Sequence, residues 1–106
     1  FPKRDFIDIK DLTDLIIKII NKMKTNKINK TFNVGNGKAI SISSISKLFK
    51  IFDKNIIFLK STHITKKELI STKASIELVK KYFKWEPTRK IKYSIITTLK
   101  YSIFKT

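Results

Sequence analysis

The sequence predicts a small α/β domain, with short strands alternating with about four helices over residues 1–106. Three observations predict it. Apolar residues recur at helical spacing in four separate windows. Short apolar or alternating runs lie between those windows. Both glycines of the chain sit together in "FNVGNGKAIS", where a strand gives way to a helix.

The elements follow in order. Phe6-Ile7-Asp8-Ile9 alternates apolar and polar side chains and reads as a short strand. Asp11 then serves as N-cap of a helix whose apolar face is Leu12, Leu15, Ile16, Ile19 and Met23. Thr31 to Val34 reads as a second strand, ended by the Gly35-Asn36-Gly37 turn. Ser41 or Ser43 caps the next helix, which buries Ile42, Ile45, Leu48, Phe49 and Phe52. Asn55 to Lys60 reads as a third strand. A helix from Thr72 to Phe83 stops at "WEP", because Pro87 disfavours helix at Glu86. A last helix runs from Ile91 to Phe104, with Ile91, Ile95 and Leu99 inward.

Length and composition bound the function. One domain of 106 residues carries one modest core. No run of 18 apolar residues exists, so no membrane span is expected. The charged stretch from Phe1 to Asp14 gives no signal-peptide pattern, and there are no cysteines; both are compatible with the cytoplasm. The net charge of +16 points to an anionic partner such as nucleic acid or phosphates. Against nucleic acid, the charge comes from 22 Lys and only 2 Arg, accompanied by 20 Ile, a composition that AT-rich codons favour. Arg is the residue whose fork suits phosphate and guanine edges. The helix lysines (Lys18, Lys22, Lys47, Lys80, Lys92 and Lys100 among them) also spread over all four helices rather than gathering on one face.

The local chemistry narrows the site. A dinucleotide fingerprint needs G-x-G-x-x-G opening a helix. Here Ile40 stands at the third glycine position, so Asn33, Gly35 and Gly37 read as a structural turn. Asp5, Asp8, Asp11 and Asp14 recur every three residues, but no glycine turn accompanies them as a calcium loop requires. No metal site is expected. His63 is the only histidine and has no partner at triad or metal spacing. Tyr101-x-x-x-Lys105 lies at the end of the chain, outside any cofactor fold, and is not read as catalytic. Arg4 stands out in a lysine-rich chain: it suits a bidentate carboxylate or phosphate, or an ion pair with Asp5 or Asp8.

"RDFIDIKDLTDLI" resembles the R-D-F-I-x-V-x-D segment of the extended short-chain dehydrogenase/reductase family, the NAD(P)-dependent epimerases, dehydratases and reductases of nucleotide sugars. "FNVGNGKAISI" resembles its [FY]-N-[VI]-G-x-G-x-x-x-S stretch, and "STKASIELVKKYFKWEP" its S-K-A-x-x-x-L-G-W-x-P stretch. The three occur in order over nearly the whole chain. The resemblance implies the smaller, C-terminal, substrate-binding lobe, with the Rossmann half absent from this chain. It implies that Arg4 contacts the substrate diphosphate. A second basic residue precedes S-K-A in the family; Lys60 is the nearest match in spacing, with Lys66 and Lys67 as alternatives. Two positions depart from the pattern: Ile70 replaces an acid and Lys84 replaces the glycine of L-G-W.

The expectation is therefore a nucleotide-sugar-binding lobe with no catalytic residue of its own and no cofactor held by this chain alone. NAD or NADP and the catalytic Tyr-x-x-x-Lys belong to an N-terminal half upstream of the resembling region. The partners expected are a nucleotide-diphosphate sugar and that half, and a homodimer is admitted for the full-length enzyme. The competing readings are a small basic module binding nucleic acid or another anion, and a non-functional remnant.

Overall fold

The computed structural model describes residues 2–59 and 70–105, with side chains described through residue 102. It is a small mixed α/β chain whose elements are β1 (Lys3–Asp5), α1 (Ile9–Met23), β2 (Ala39–Ser41), α2 (Ile42–Phe52), α3 (Glu77–Phe83) and α4 (Ile91–Lys105). β1 and β2 form a two-stranded antiparallel sheet with Lys3 opposite Ser41, Arg4 opposite Ile40 and Asp5 opposite Ala39. The other edge of β1 takes the chain at residues 70–72: Lys3 N–H donates to the Ile70 carbonyl at 2.8 Å, and Thr72 N–H to the Lys3 carbonyl at 3.1 Å. β1 is thus the middle of three extended segments.

That placement corrects the expected strands. Extended pairing ends at Asp5 instead of occupying Phe6 to Ile9, because helix α1 already begins at Ile9. Its N-cap is Asp8, not Asp11: the Asp8 backbone is extended and its Oδ1 accepts the Lys10 N–H at 2.8 Å. Asp11 is consumed elsewhere. Residues 31–34 form no strand; Phe32 packs against Tyr82 and Phe83 instead, and the partner of β1 lies at Ala39–Ser41. Residues 55–59 form no strand either, and Lys60 lies outside the described residues.

The two later helices show what competes with propensity. α3 starts at Glu77, five residues after the expected Thr72, because residues 72 and 74 give their amides to β1. It ends at Phe83, before Pro87 has any influence. Lys84 adopts the left-handed conformation with φ 50°, and the Trp85 N–H returns to the Lys80 carbonyl at 3.2 Å. This is a Schellman-type ending with lysine where glycine is normally found. α2 starts as expected: Ser41 Oγ accepts the Ser44 N–H at 3.1 Å.

The core forms where α1 meets α3. Leu15, Ile76, Val79, Phe83 and Trp85 are buried together, and Ile7, Ile19, Ile28, Phe32, Ala74 and Tyr82 pack around them. Phe32, Tyr82 and Phe83 are mutually tilted or edge-on at centroid distances of 5.0–5.2 Å. Two lysines close the end of α3. Lys22 Nζ donates to the Tyr82 carbonyl at 2.6 Å and lies 3.9 Å from the Tyr82 ring centre; Lys18 Nζ donates to the Lys84 carbonyl at 3.3 Å. Among the described residues, no helix is long and apolar enough to cross a membrane.

Lys84 tests this ending. A side chain in the left-handed region costs roughly 1–2 kcal/mol, which glycine avoids. Lys84→Gly is expected to raise stability by about 1 kcal/mol, read as a higher urea midpoint at unchanged slope. An unchanged or lower midpoint counts against this ending.

Candidate functional site

Asp5 joins three distant stretches of the chain. Its Oδ1 accepts the Asn36 N–H at 2.7 Å; its Oδ2 accepts the Gly37 N–H at 2.9 Å and the Ala74 N–H at 3.0 Å. One carboxylate thereby satisfies amides 31, 32 and 69 residues away. Gly35 and Gly37 make the approach feasible. A Cβ on Gly35 would lie 2.7 Å from Ala74 Cβ and 2.8 Å from Asp5 Oδ2. Gly37 has φ +77°, a conformation that favours glycine, and a Cβ there would lie 3.0 Å from Ile76 Cδ1. Asn33 is exposed, just before this turn.

These contacts bear on a dinucleotide. Phosphate-binding turns work by pointing amides at the ligand. Here the Asn36 and Gly37 amides already donate to Asp5.

Arg4 lies beside this junction on β1, opposite Ile40, and its Nη1 donates to the Lys3 carbonyl at 2.8 Å. Lys60, its expected companion, lies outside the described residues, as do Lys66, Lys67 and His63. Ser41 ends β2 and caps α2 at once, so it is a structural group.

A second cluster surrounds Asp11. This side chain is only 2 % exposed. Its Oδ1 accepts Arg89 Nη1 at 2.7 Å, its Oδ2 accepts the Arg89 N–H at 3.0 Å, and Thr88 Oγ1 reaches it at 3.4 Å. The same Nη1 reaches Asp14 Oδ2 at 2.9 Å. The backbone carbonyl of Asp11 accepts the buried Trp85 Nε1–H at 3.0 Å. Hydrogen bonds donated to Asp14 and Asp11, which outweigh burial, hold the Arg89 guanidinium above its ordinary range. Asp11 is therefore a buried anchor for the segment after α3. The sequence offered one signal for it: Arg89 is the other arginine in a lysine-rich chain, and the reasoning that singled out Arg4 applies to it equally.

Asp8 completes the set. Its Oδ2 accepts the Ser94 hydroxyl, linking the starts of α1 and α4. Burial pushes the Asp8 carboxyl up, but the Ser94 hydroxyl, the Lys10 amide and the charges of Arg89 and Lys10 together outweigh it. The net position lies below the usual 3.8. Of the four evenly spaced aspartates, Asp11 and Asp14 share Arg89 while Asp5 and Asp8 serve other partners, and among the described residues no group of three or more His, Cys, Asp or Glu could hold a metal.

Comparisons with protein-family models, with curated proteins and with solved structures find no match to this chain.

Two expectations follow. Asp5→Ala leaves three amides without their acceptor and should cost about 2–4 kcal/mol; Asp5→Asn, which keeps one acceptor oxygen, should cost less. Gly35→Ala should cost more than about 1 kcal/mol through overpacking. Denaturant midpoints check all three, and a neutral Asp5→Ala would show that the junction contributes nothing to stability. The second concerns pH. The folded pKa of Asp8 lies below the unfolded one, so the unfolded chain takes up the proton first as pH falls. The contribution of Asp8 is complete above about pH 4 and is lost as the pH drops through the folded value. Ser94→Ala should flatten the loss of stability below about pH 4, measured by urea unfolding at several pH values, while the wild-type chain keeps the steeper slope.

Proposed function

We propose that this chain is the nucleotide-sugar-binding lobe of an NAD(P)-dependent epimerase, dehydratase or reductase, with Arg4 holding the substrate diphosphate. The observation that carries this reading is the Asp5 junction. The three stretches on which the resemblance rests, around Arg4-Asp5-Phe6, Gly35-Asn36-Gly37 and Ser71 to Ser75, are bonded to one another through a single carboxylate. β1 is held on both edges, so Arg4 is carried on a fixed strand and not on a loose loop.

In this reading Arg4 supplies planar, bidentate recognition of a phosphate oxygen pair, which a lysine cannot reproduce. Lys60, preceding the Ser71-Thr72-Lys73-Ala74 stretch, is the companion cation. Because the turn amides are spent on Asp5, NAD or NADP is assigned to a separate half of the full-length enzyme. Hydride transfer is assigned to that half as well, and cytoplasmic placement accompanies the reading. The use of Lys18 and Lys22 to close α3 makes part of the lysine surplus structural, which weighs against a dedicated nucleic-acid module.

Calorimetric titration with UDP-glucose, dTDP-glucose and GDP-mannose tests the proposal. Binding of one of these is expected, weakened by about tenfold or more in Arg4→Ala and only partly restored in Arg4→Lys. Binding that ignores both substitutions, or no binding of any of the three, overturns it.

A further inference from the structure

The glycine turn carries a reactive dipeptide. Of the six asparagines in the chain, only Asn36 precedes a glycine; the other five precede Lys, Val or Ile. The side-chain carbonyl carbon of an asparagine is open to attack by the backbone nitrogen of the next residue. Closure to a succinimide ring is easiest when that residue is glycine, which has no Cβ to obstruct the approach. Asn36 and Gly37 are both partly exposed, so water reaches the pair. Among the described residues, the Asn36 side chain makes no hydrogen bond that would hold it away from Gly37.

The Asp5 junction opposes this closure. The Asn36 N–H donates to Asp5 Oδ1 at 2.7 Å and the Gly37 N–H to Oδ2 at 2.9 Å. The peptide units on both sides of the Asn36 Cα are thereby pinned to one carboxylate. Ile76 crowds Gly37 as well, since a Cβ there would lie 3.0 Å from Ile76 Cδ1. Ring closure rotates the peptide between residues 36 and 37, which draws the Gly37 nitrogen off Asp5. The nitrogen must also lose its proton, and a carboxylate 2.9 Å away disfavours a second negative charge at that place.

We propose that Asn36 is a self-modification site locked by the Asp5 junction, so that it deamidates only when the glycine turn opens. The Gly37 nitrogen gives up its proton and bonds to the side-chain carbonyl carbon of Asn36. The bond from that carbon to the side-chain nitrogen breaks, and the nitrogen leaves as ammonia. Water then opens the ring. Opening at the side-chain carbonyl leaves aspartate at position 36; opening at the main-chain carbonyl leaves isoaspartate, with a methylene added to the main chain. Either product sets a new carboxylate beside Asp5, and isoaspartate also displaces the Gly37 amide from Oδ2. The change is one-way, so a turn that has opened and reacted does not return to the original junction. The lock uses neither Arg4 nor Lys60, and it stands independently of the sugar-nucleotide reading.

The test is a time course of the whole chain at mildly alkaline pH, with the Asn36 peptide followed by mass spectrometry and aspartate separated from isoaspartate by chromatography. In the chain unfolded by urea, Asn36 should convert ahead of the other five asparagines. In the folded chain it should convert at least about tenfold more slowly, a ratio set by how rarely the turn opens. Asp5→Ala should remove most of this protection. Because that substitution also destabilises the chain, it is compared with the core variant Val79→Ala at urea concentrations that leave the same fraction folded. Asp5→Ala should then convert several-fold faster, since Val79→Ala keeps the lock; if Asp5→Ala does not fold, Asp5→Asn takes its place. Asn36→Asp, which installs one product directly, should have a lower urea midpoint than Asn36→Ser. The proposal is overturned if folded and unfolded chains convert Asn36 equally fast, or if another asparagine converts first in the unfolded chain. It is equally overturned if the matched Asp5 and Val79 variants convert at one rate, or if Asn36→Asp is as stable as Asn36→Ser.

Discussion

The fold depends on one carboxylate. Asp5 stands at the end of a three-residue strand, and such a strand has too few ladder bonds to hold its neighbours unaided. By accepting amides from the 36–37 turn and from residue 74, it fixes both flanking segments against β1. Amides partly withdrawn from water are costly without partners, so the three donors all depend on this carboxylate. The consequences spread outward. Residues 72 and 74 cannot join α3 while their amides face β1, and this sets the start of that helix. The position of α3 in turn sets which residues meet Leu15 of α1.

The core that results is small, and the chain supplements it with polar anchors on both sides of α3. On one side Asp11 holds Arg89 and accepts Trp85 Nε1 on its carbonyl, which fastens the segment between α3 and α4 to α1. On the other, Lys18 and Lys22 reach the carbonyls at the end of α3. A residue in the left-handed conformation sits at the same place. Lys84 accepts local backbone strain so that Trp85 can turn back into the core. Such a strained residue persists only where the surroundings over-determine it, and Trp85, buried and hydrogen-bonded through Nε1, supplies that constraint.

Much of the helical content was legible in the sequence, because α1 and α2 are marked by apolar periodicity and α4 carries Ile91, Ile95 and Leu99 at helical spacing. Ser41 as a cap was legible for the same reason: the hydroxyl precedes a clear periodic run. The strands were not. Three-residue strands carry no usable alternation, and in the apolar runs at Phe6 to Ile9 and Thr31 to Val34 it is Ile7 and Phe32 that pack against the core while neither run pairs. Asp8 and Asp11 were exchanged because both lie at cap spacing, and only the position of Arg89 decides which carboxylate remains available for the helix start. Asp5 was invisible as a junction. A carboxylate that binds amides far away in sequence leaves no local pattern, apart from the glycine pair whose missing side chains give it room.

Strand geometry ties this junction to the proposed site. Successive residues of a strand point to opposite faces, so the face that Asp5 uses inward is denied to Arg4, and Arg4 takes the other. One step along β1 therefore separates Asp5, which the chain binds to itself, from Arg4 on the opposite face. The arrangement is sensitive to register. A slip of one residue between β1 and β2 would turn Arg4 toward the turn amides and Asp5 away from them, setting like partial charges against each other. The amides of residues 36, 37 and 74 donate to an acceptor on that face alone, so the junction that stabilises the fold also selects the register of β1.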